Sequence, residues 1–170
     1  MVIDQERGFL YASSRFASYI YAFDIRDDSD TLTGDDKVNE LEALLVANTD
    51  VGATAFRGLF IPEGTDLLYA LNSEPESVMI FDLAAVEDLT IARAERDAVI
   101  GVLPAPREER DAGGRTTAYI GPSGITQVDH LLFVANFNAN SVSVYDLRLG
   151  AFGELVYEIR NVGENPHALS

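Results

Sequence analysis

Leu131-Leu132-Phe133-Val134-Ala135-Asn136, a short polar loop, and then Val142-Ser143-Val144-Tyr145-Asp146-Leu147 form a unit that occurs three times in the chain. The second copy is Leu67-Leu68-Tyr69-Ala70-Leu71-Asn72 followed by Val78-Met79-Ile80-Phe81-Asp82-Leu83. The first is Phe9-Leu10-Tyr11-Ala12-Ser13-Ser14 followed by Tyr19-Ile20-Tyr21-Ala22-Phe23-Asp24-Ile25. Tyr11, Tyr69 and Phe133 correspond, and so do Asp24, Asp82 and Asp146; both sets are spaced by 58 and then 64 residues. Two landmarks keeping one spacing through three copies mark an internal structural repeat. Each copy reads as a β-hairpin, because its apolar runs are short, rich in β-branched and aromatic residues, and bounded by turn formers. The runs are nearly continuous rather than alternating, the pattern of strands covered on both faces.

Further strands flank each hairpin. Gly58-Leu59-Phe60-Ile61 with the turn Pro62-Glu63-Gly64 precedes the second, and Ala118-Tyr119-Ile120 with the turn Gly121-Pro122-Ser123-Gly124 precedes the third. Leu41 to Val46, Ala98 to Leu103 and Leu155 to Ile159 follow the three hairpins. The fold class expected is therefore all-β: a β-propeller of four-stranded antiparallel blades. About three blades are present, over roughly 9–46, 55–103 and 116–159, with the first strand of a further blade at about 164–170. Blades usually repeat every ~40–50 residues. The excess falls in Asp27–Asn39, Ala84–Asp97 and Pro104–Thr117. The first two have room for a short helix, and the third, with two prolines and two glycines, reads as an irregular loop.

Phe133-Val134-Ala135-Asn136 with Asn140-Ser141-Val142-Ser143-Val144-Tyr145-Asp146 resembles the YVTN repeat, and Val162-Gly163-Glu164-Asn165-Pro166-His167-Ala168 resembles the segment that opens the next repeat in that family. The resemblance implies a lactonase-like propeller fold. It is compatible with a binding or interaction scaffold, with a lactonase-like hydrolase acting on a sugar lactone, or with the partner of a redox enzyme. It also implies an extracytoplasmic location, although no signal peptide is visible in Met1–Gly8.

The chain has 28 acidic and 12 basic residues in 170, a net charge of −16, and no cysteine. Disulfides, thiolate zinc sites and cysteine nucleophiles are excluded. The charge argues against nucleic acid, and no apolar run approaches the ~18 residues of a membrane span. His130 and His167 are the only histidines. No nucleophile elbow, P-loop or dinucleotide-binding glycine motif occurs. No cofactor is indicated, and no catalytic or metal-binding set assembles. Asp27-Asp28-Ser29-Asp30 fails the EF-hand template, since Thr33 and Asn39 stand where Gly and Glu belong. The repeated Asp24, Asp82 and Asp146 read as acceptors for backbone N–H groups in the turns that follow them.

One end of such a sheet array carries the hairpin loops Asn72–Ser77 and Asn136–Ser141 and the start of each first strand, where Arg57, Arg115 or Thr116, and His167 stand. In an acidic protein, two Arg and a His gathered at one mouth suit a small anion, because guanidinium forks match carboxylate or phosphate. The candidate ligand-binding residues are Arg57, Arg115, His167, Asn136 and Asn138, and the partner expected is a small anionic ligand or a protein. The plainer reading pairs the arginines with nearby acids such as Asp111 and makes His167 a packing residue. Because only eight residues precede Phe9, the first blade is expected to begin at its second strand. Three blades do not close a ring, so closure falls to the remaining blades of a longer chain or to a homodimer.

Overall fold

The computed structural model describes residues 1–13, 19–25, 44–45, 56–73, 76–84, 99–104 and 120–167. Twelve strands are found among them: β1 (Val2–Asp4), β2 (Phe9–Ser13), β3 (Tyr19–Asp24), β4 (Leu44–Leu45), β5 (Phe56–Phe60), β6 (Leu67–Ser73), β7 (Glu76–Asp82), β8 (Val99–Val102), β9 (Pro122–Val128), β10 (Leu131–Asn136), β11 (Ser141–Asp146) and β12 (Glu154–Arg160). They form three antiparallel sheets of four strands, each paired in simple sequence order. No helix among the described residues is long and apolar enough to cross a membrane.

The sequence repeat is also a register repeat. Phe9 pairs with Asp24, Leu67 with Asp82 and Leu131 with Asp146, so the three hairpins align residue for residue. The middle sheet explains the continuous apolar runs. Leu68, Ala70, Met79 and Phe81 on one face pack against Phe9, Tyr11, Ile20 and Ala22 of the first sheet. Tyr69, Leu71, Val78 and Ile80 on the other face pack against Leu132, Val134 and Tyr145 of the third. Successive side chains of a strand point to opposite faces, so a strand buried on both sides must be apolar at every position. Each large side chain so buried contributes about 1.5–3 kcal/mol.

Directed bonds fix the stacking. The Tyr69 hydroxyl donates to the Phe152 carbonyl (2.8 Å), and the Tyr145 hydroxyl to the Pro104 carbonyl (2.8 Å). Burial pushes both phenols up to about 12. The Glu63 amide donates to the Gln127 side chain (3.0 Å). Arg7 bridges Asp4 of the first sheet and Asp66 of the second. Gly101 lies under the Phe152 ring, where a Cβ would come within 2.6 Å of an aromatic carbon.

Two expectations are corrected. The first sheet does not begin at its second strand: β1 pairs with β2 through Val2–Tyr11, Ile3–Leu10 and Asp4–Phe9. Val2-Ile3-Asp4 is a strand of only three residues, too short to stand out in the sequence. In the third sheet, Pro122-Ser123-Gly124 is strand rather than turn, since β9 starts at Pro122 and runs to Val128. Pro is tolerated as the first residue of a strand. The reversal comes instead at Asp129, which has a φ of 52° and leads into His130 at the turn. Residues 164–167 form no strand, and 168–170 lie outside the described residues. So do both proposed short helices beyond Ala84 and within 26–40, the acidic run Asp27–Asp36, the loop past Pro104 and the strand expected at 118–119.

The repeated aspartates accept from the following turns where their side chains are described. Asp82 Oδ1 receives the Ala84 amide (2.9 Å), and Asp146 Oδ1 receives the Arg148 amide (3.0 Å). Arg148 also holds Asp146 through Nε (3.0 Å) and Nη2 (2.7 Å). These bonds from Arg148 bring the Asp146 carboxyl down to about 2, against the opposing effect of desolvation.

Two stability predictions follow from this packing. Phe81 is fully buried and meets Phe56 edge-on at 6.1 Å between ring centroids. Phe81→Ala should lower unfolding free energy by about 3–5 kcal/mol in denaturant titration, and a change near zero would mean that the first and second sheets do not stack in solution. Asp146 has a folded pKa below its unfolded one, so its contribution is present above the unfolded value of roughly 4 and is lost as pH falls toward about 2. The stability difference between wild type and Asp146→Asn should therefore be flat near neutrality and shrink through that acid window. A difference that does not change with pH would disprove the pairing.

Candidate functional site

At the end of the sheets where β5 and β9 begin, a cavity of about 820 Å³ is lined by Met1, Ser13, Phe56, Arg57, Ser123, Phe137, Asn138 and His167. All three sheets contribute to it. Arg57 is exposed, and its Nε donates to the Ser73 hydroxyl (2.8 Å) on the neighbouring strand β6. Among the described residues no carboxylate lies within ion-pair distance of Arg57. Phe56, its chain neighbour, is buried and anchors the strand in the core.

The opposite wall is the β10–β11 turn. Its tip is tied to the start of β9 by the Phe137 amide to the Gly121 carbonyl (2.9 Å) and the Asn138 amide to the Ile120 carbonyl (3.2 Å). Gly121 has a φ of 61°, in the left-handed region that favours glycine, and a Cβ there would also press on the Asn138 side-chain Nδ2 at 2.8 Å. Glu76, at the start of β7, ties this corner to the middle sheet. One carboxylate oxygen accepts from the Gly121 amide (2.6 Å) and the other from Asn138 Nδ2 (3.0 Å). Burial pushes the Glu76 carboxyl up, and the Gly121 amide, Arg57 and Asn138 draw it part of the way back.

His167 arrives through a third set of bonds. Asn140, left-handed with a φ of 50°, accepts the Asn165 amide on its Oδ1 (2.8 Å). The Ser123 hydroxyl donates to the Pro166 carbonyl (2.7 Å). The His167 ring then lies 5.9 Å from Phe137, with Nδ1 donating to the Asn165 carbonyl (2.8 Å). A carbonyl only accepts, so in this bond Nδ1 carries the proton.

Of the five candidate residues, Arg57, Asn138 and His167 line this one cavity. Arg115 lies outside the described residues. Asn136 is not at the mouth: it is buried between the second and third sheets, where Nδ2 donates to Ser143 (2.8 Å) and Ser141 (3.2 Å). It lines a separate cavity of about 190 Å³ with Val134 and Tyr145. Asn136 ends a strand, and the alternation that points Leu132 and Val134 at the middle sheet carries Asn136 there too. The pairing also gives a different partner for Arg57. Asn72 pairs with Phe56 and Asn136 with Pro122, each followed by a register shift, so Ser123 is the third sheet's counterpart of Arg57. The pairing of Gly58 with Leu71 and of Gly124 with Ala135 carries that alignment and is the signal that could have located Ser123 in the sequence. Phe137 and Ser13 carry no such signal. No group of three or more His, Asp and Glu suited to a metal occurs among the described residues.

No protein-family model matches the chain, and no curated protein matches it. Among solved structures, a functionally unknown protein from Desulfotomaculum acetoxidans DSM 771 is similar with a TM-score of 0.46 and 13% sequence identity. The match covers 98% of this chain and 57% of that one, so the chain spans little more than half the length of that structure.

Glu76→Gln keeps the shape of the corner but places an NH2 group opposite one of two N–H donors. It should cost about 1–3 kcal/mol and speed amide exchange at Gly121 and Phe137, read by hydrogen–deuterium exchange. Unchanged exchange at both amides would show that the carboxylate does not hold the turn.

Proposed function

We propose that the chain is part of a YVTN-type β-propeller that serves as a binding scaffold, and that the cavity lined by Arg57, Asn138 and His167 takes a small anion. Three four-stranded meanders stacked face to face, in register with a sequence repeat, support the propeller reading. The observation that carries the ligand reading is the placement of one guanidinium, one imidazole, one carboxamide and the Ser13 and Ser123 hydroxyls around a single cavity. The chain has a net charge of −16, and Arg57 is held by the Ser73 hydroxyl rather than by an ion pair as Arg148 and Arg160 are. Arg57 supplies a planar fork for a carboxylate or phosphate. Asn138 and Ser13 supply neutral donors, and the rings of Phe56 and Phe137 supply apolar wall. A carboxylate on an aromatic or sugar-sized body fits this mixture better than a bare inorganic ion. Glu76, one bond beyond Asn138, orients that amide rather than facing the ligand.

Calorimetric titration with citrate, benzoate and inorganic phosphate tests this. Binding of an organic carboxylate, weakened at least about tenfold by Arg57→Ala (about 1.4 kcal/mol), is the expected result. No binding of any of the three, or equal binding by the variant, would remove the anion reading.

A further inference from the structure

The second cavity, of about 190 Å³, lies between the second and third sheets beside the Glu76 corner. Its inner wall is Val78, Leu103, Val134 and Tyr145, all buried. Val102, which is 45% exposed, stands at its rim, so the cavity meets solvent on that side. An apolar cavity of about 150 Å³ takes benzene, so this one has room for a single ring with a short substituent. Its polar groups are of one kind. The Tyr145 hydroxyl donates to the Pro104 carbonyl, and Ser77 has a partner of its own. Asn136 is 1% exposed; both hydrogens of its Nδ2 are directed at Ser143 and Ser141, which leaves Oδ1 to accept. Glu76 stands in the same wall. Its two oxygens receive the Gly121 amide and Asn138 Nδ2, and a carboxylate with about four lone-pair sites can accept more. Among the described residues no Lys, Arg or His lines this cavity.

We propose that this cavity binds a small primary amine with an apolar body, its ammonium group taken by Glu76 and Asn136 and its body by Val78, Leu103 and Val134. An ammonium group carries three donors and no acceptor, the complement of a carboxylate and a carboxamide oxygen. A hydrocarbon of the same size would leave both acceptors unused. An anion would meet the Glu76 carboxylate with no basic side chain beside it. A neutral alcohol brings one donor and no charge, and hydrogen bonds in which both partners are neutral are roughly half as strong as charge-assisted ones. The net charge of −16 also draws cations toward the protein. The larger cavity has the opposite character, because the charged group lining it is Arg57. The two cavities share a wall, since Glu76 in the smaller one holds Asn138 in the larger. The amine site stands on its own lining and not on the anion reading, so the two are tested separately.

The probe is benzylamine, compared with benzyl alcohol and toluene in titrations of the 170-residue chain followed by methyl carbon–proton NMR. Benzylamine should bind with shifts at the methyl groups of Val78, Leu103 and Val134, at least about tenfold more tightly than benzyl alcohol, with toluene weaker still. Glu76→Gln should remove most of the preference for the amine over the alcohol. That ratio is the readout, because a loosened corner weakens both ligands alike. No binding of benzylamine, or shifts confined to other methyl groups, would overturn the site. Equal affinity for benzyl alcohol or toluene would overturn the amine as its ligand, and an unchanged ratio in Glu76→Gln would overturn the part given to the carboxylate. The wild-type series decides the site and its ligand even where the variant fails to fold.

Discussion

Burial of the middle sheet on both faces is the constraint from which the rest of the structure follows. β6 and β7 send alternate side chains to opposite neighbours, Leu68 and Phe81 toward the first sheet and Tyr69 and Ile80 toward the third. A sheet loaded in this way has no face for water, so it must lie between two others. The Tyr69 and Tyr145 hydroxyls add direction to that packing, since each has one acceptor in a neighbouring segment. Hydrophobic contact alone would allow the sheets to slide; a hydroxyl at 2.8 Å from its carbonyl does not.

The cavity is a by-product of the same stacking. Where the sheets end, the starts of β5 and β9 and the β10–β11 turn stand around a space that none of them fills. The residues there are held from behind: Arg57 by Ser73, Asn138 by Glu76, and His167 by Asn165, with the Ser123–Pro166 bond fixing its segment. Those bonds orient polar groups across a shared opening without using all of their capacity. Glu76 is the most constrained of the set, because its two oxygens receive donors from different segments of the third sheet.

The hairpins were legible because a two-residue side-chain period, read against a repeat, leaves few alternatives. Tyr11, Tyr69 and Phe133 hold one position in three sheets, and Asp82 and Asp146 close their turns as their residue type suggests. Shorter or mixed signals failed. Val2-Ile3-Asp4 has three residues, too few for a side-chain period to show. Gly121-Pro122-Ser123-Gly124 has the composition of a turn, yet its backbone pairs with β10 from Pro122 onward. Asn136 has the composition of a loop residue and is buried because it continues the inward alternation of Leu132 and Val134.

The amino-acid sequence by itself determined the two strands of each repeated hairpin, their order and their two-sided burial in the middle sheet, because each depends on spacing along one chain. It also brought Arg57 and His167 into the same small set of candidates. Only the tertiary structure decided which candidates share a space. Asn138 reaches the cavity and Asn136, two residues earlier, does not, because a strand pointing one way becomes a turn pointing another. Ser123 stands where Arg57 stands in the sheet before it, because a bulge shifts the register by one residue. Such placements depend on pairings between segments about 15 to 60 residues apart, and no local pattern of residue types encodes them.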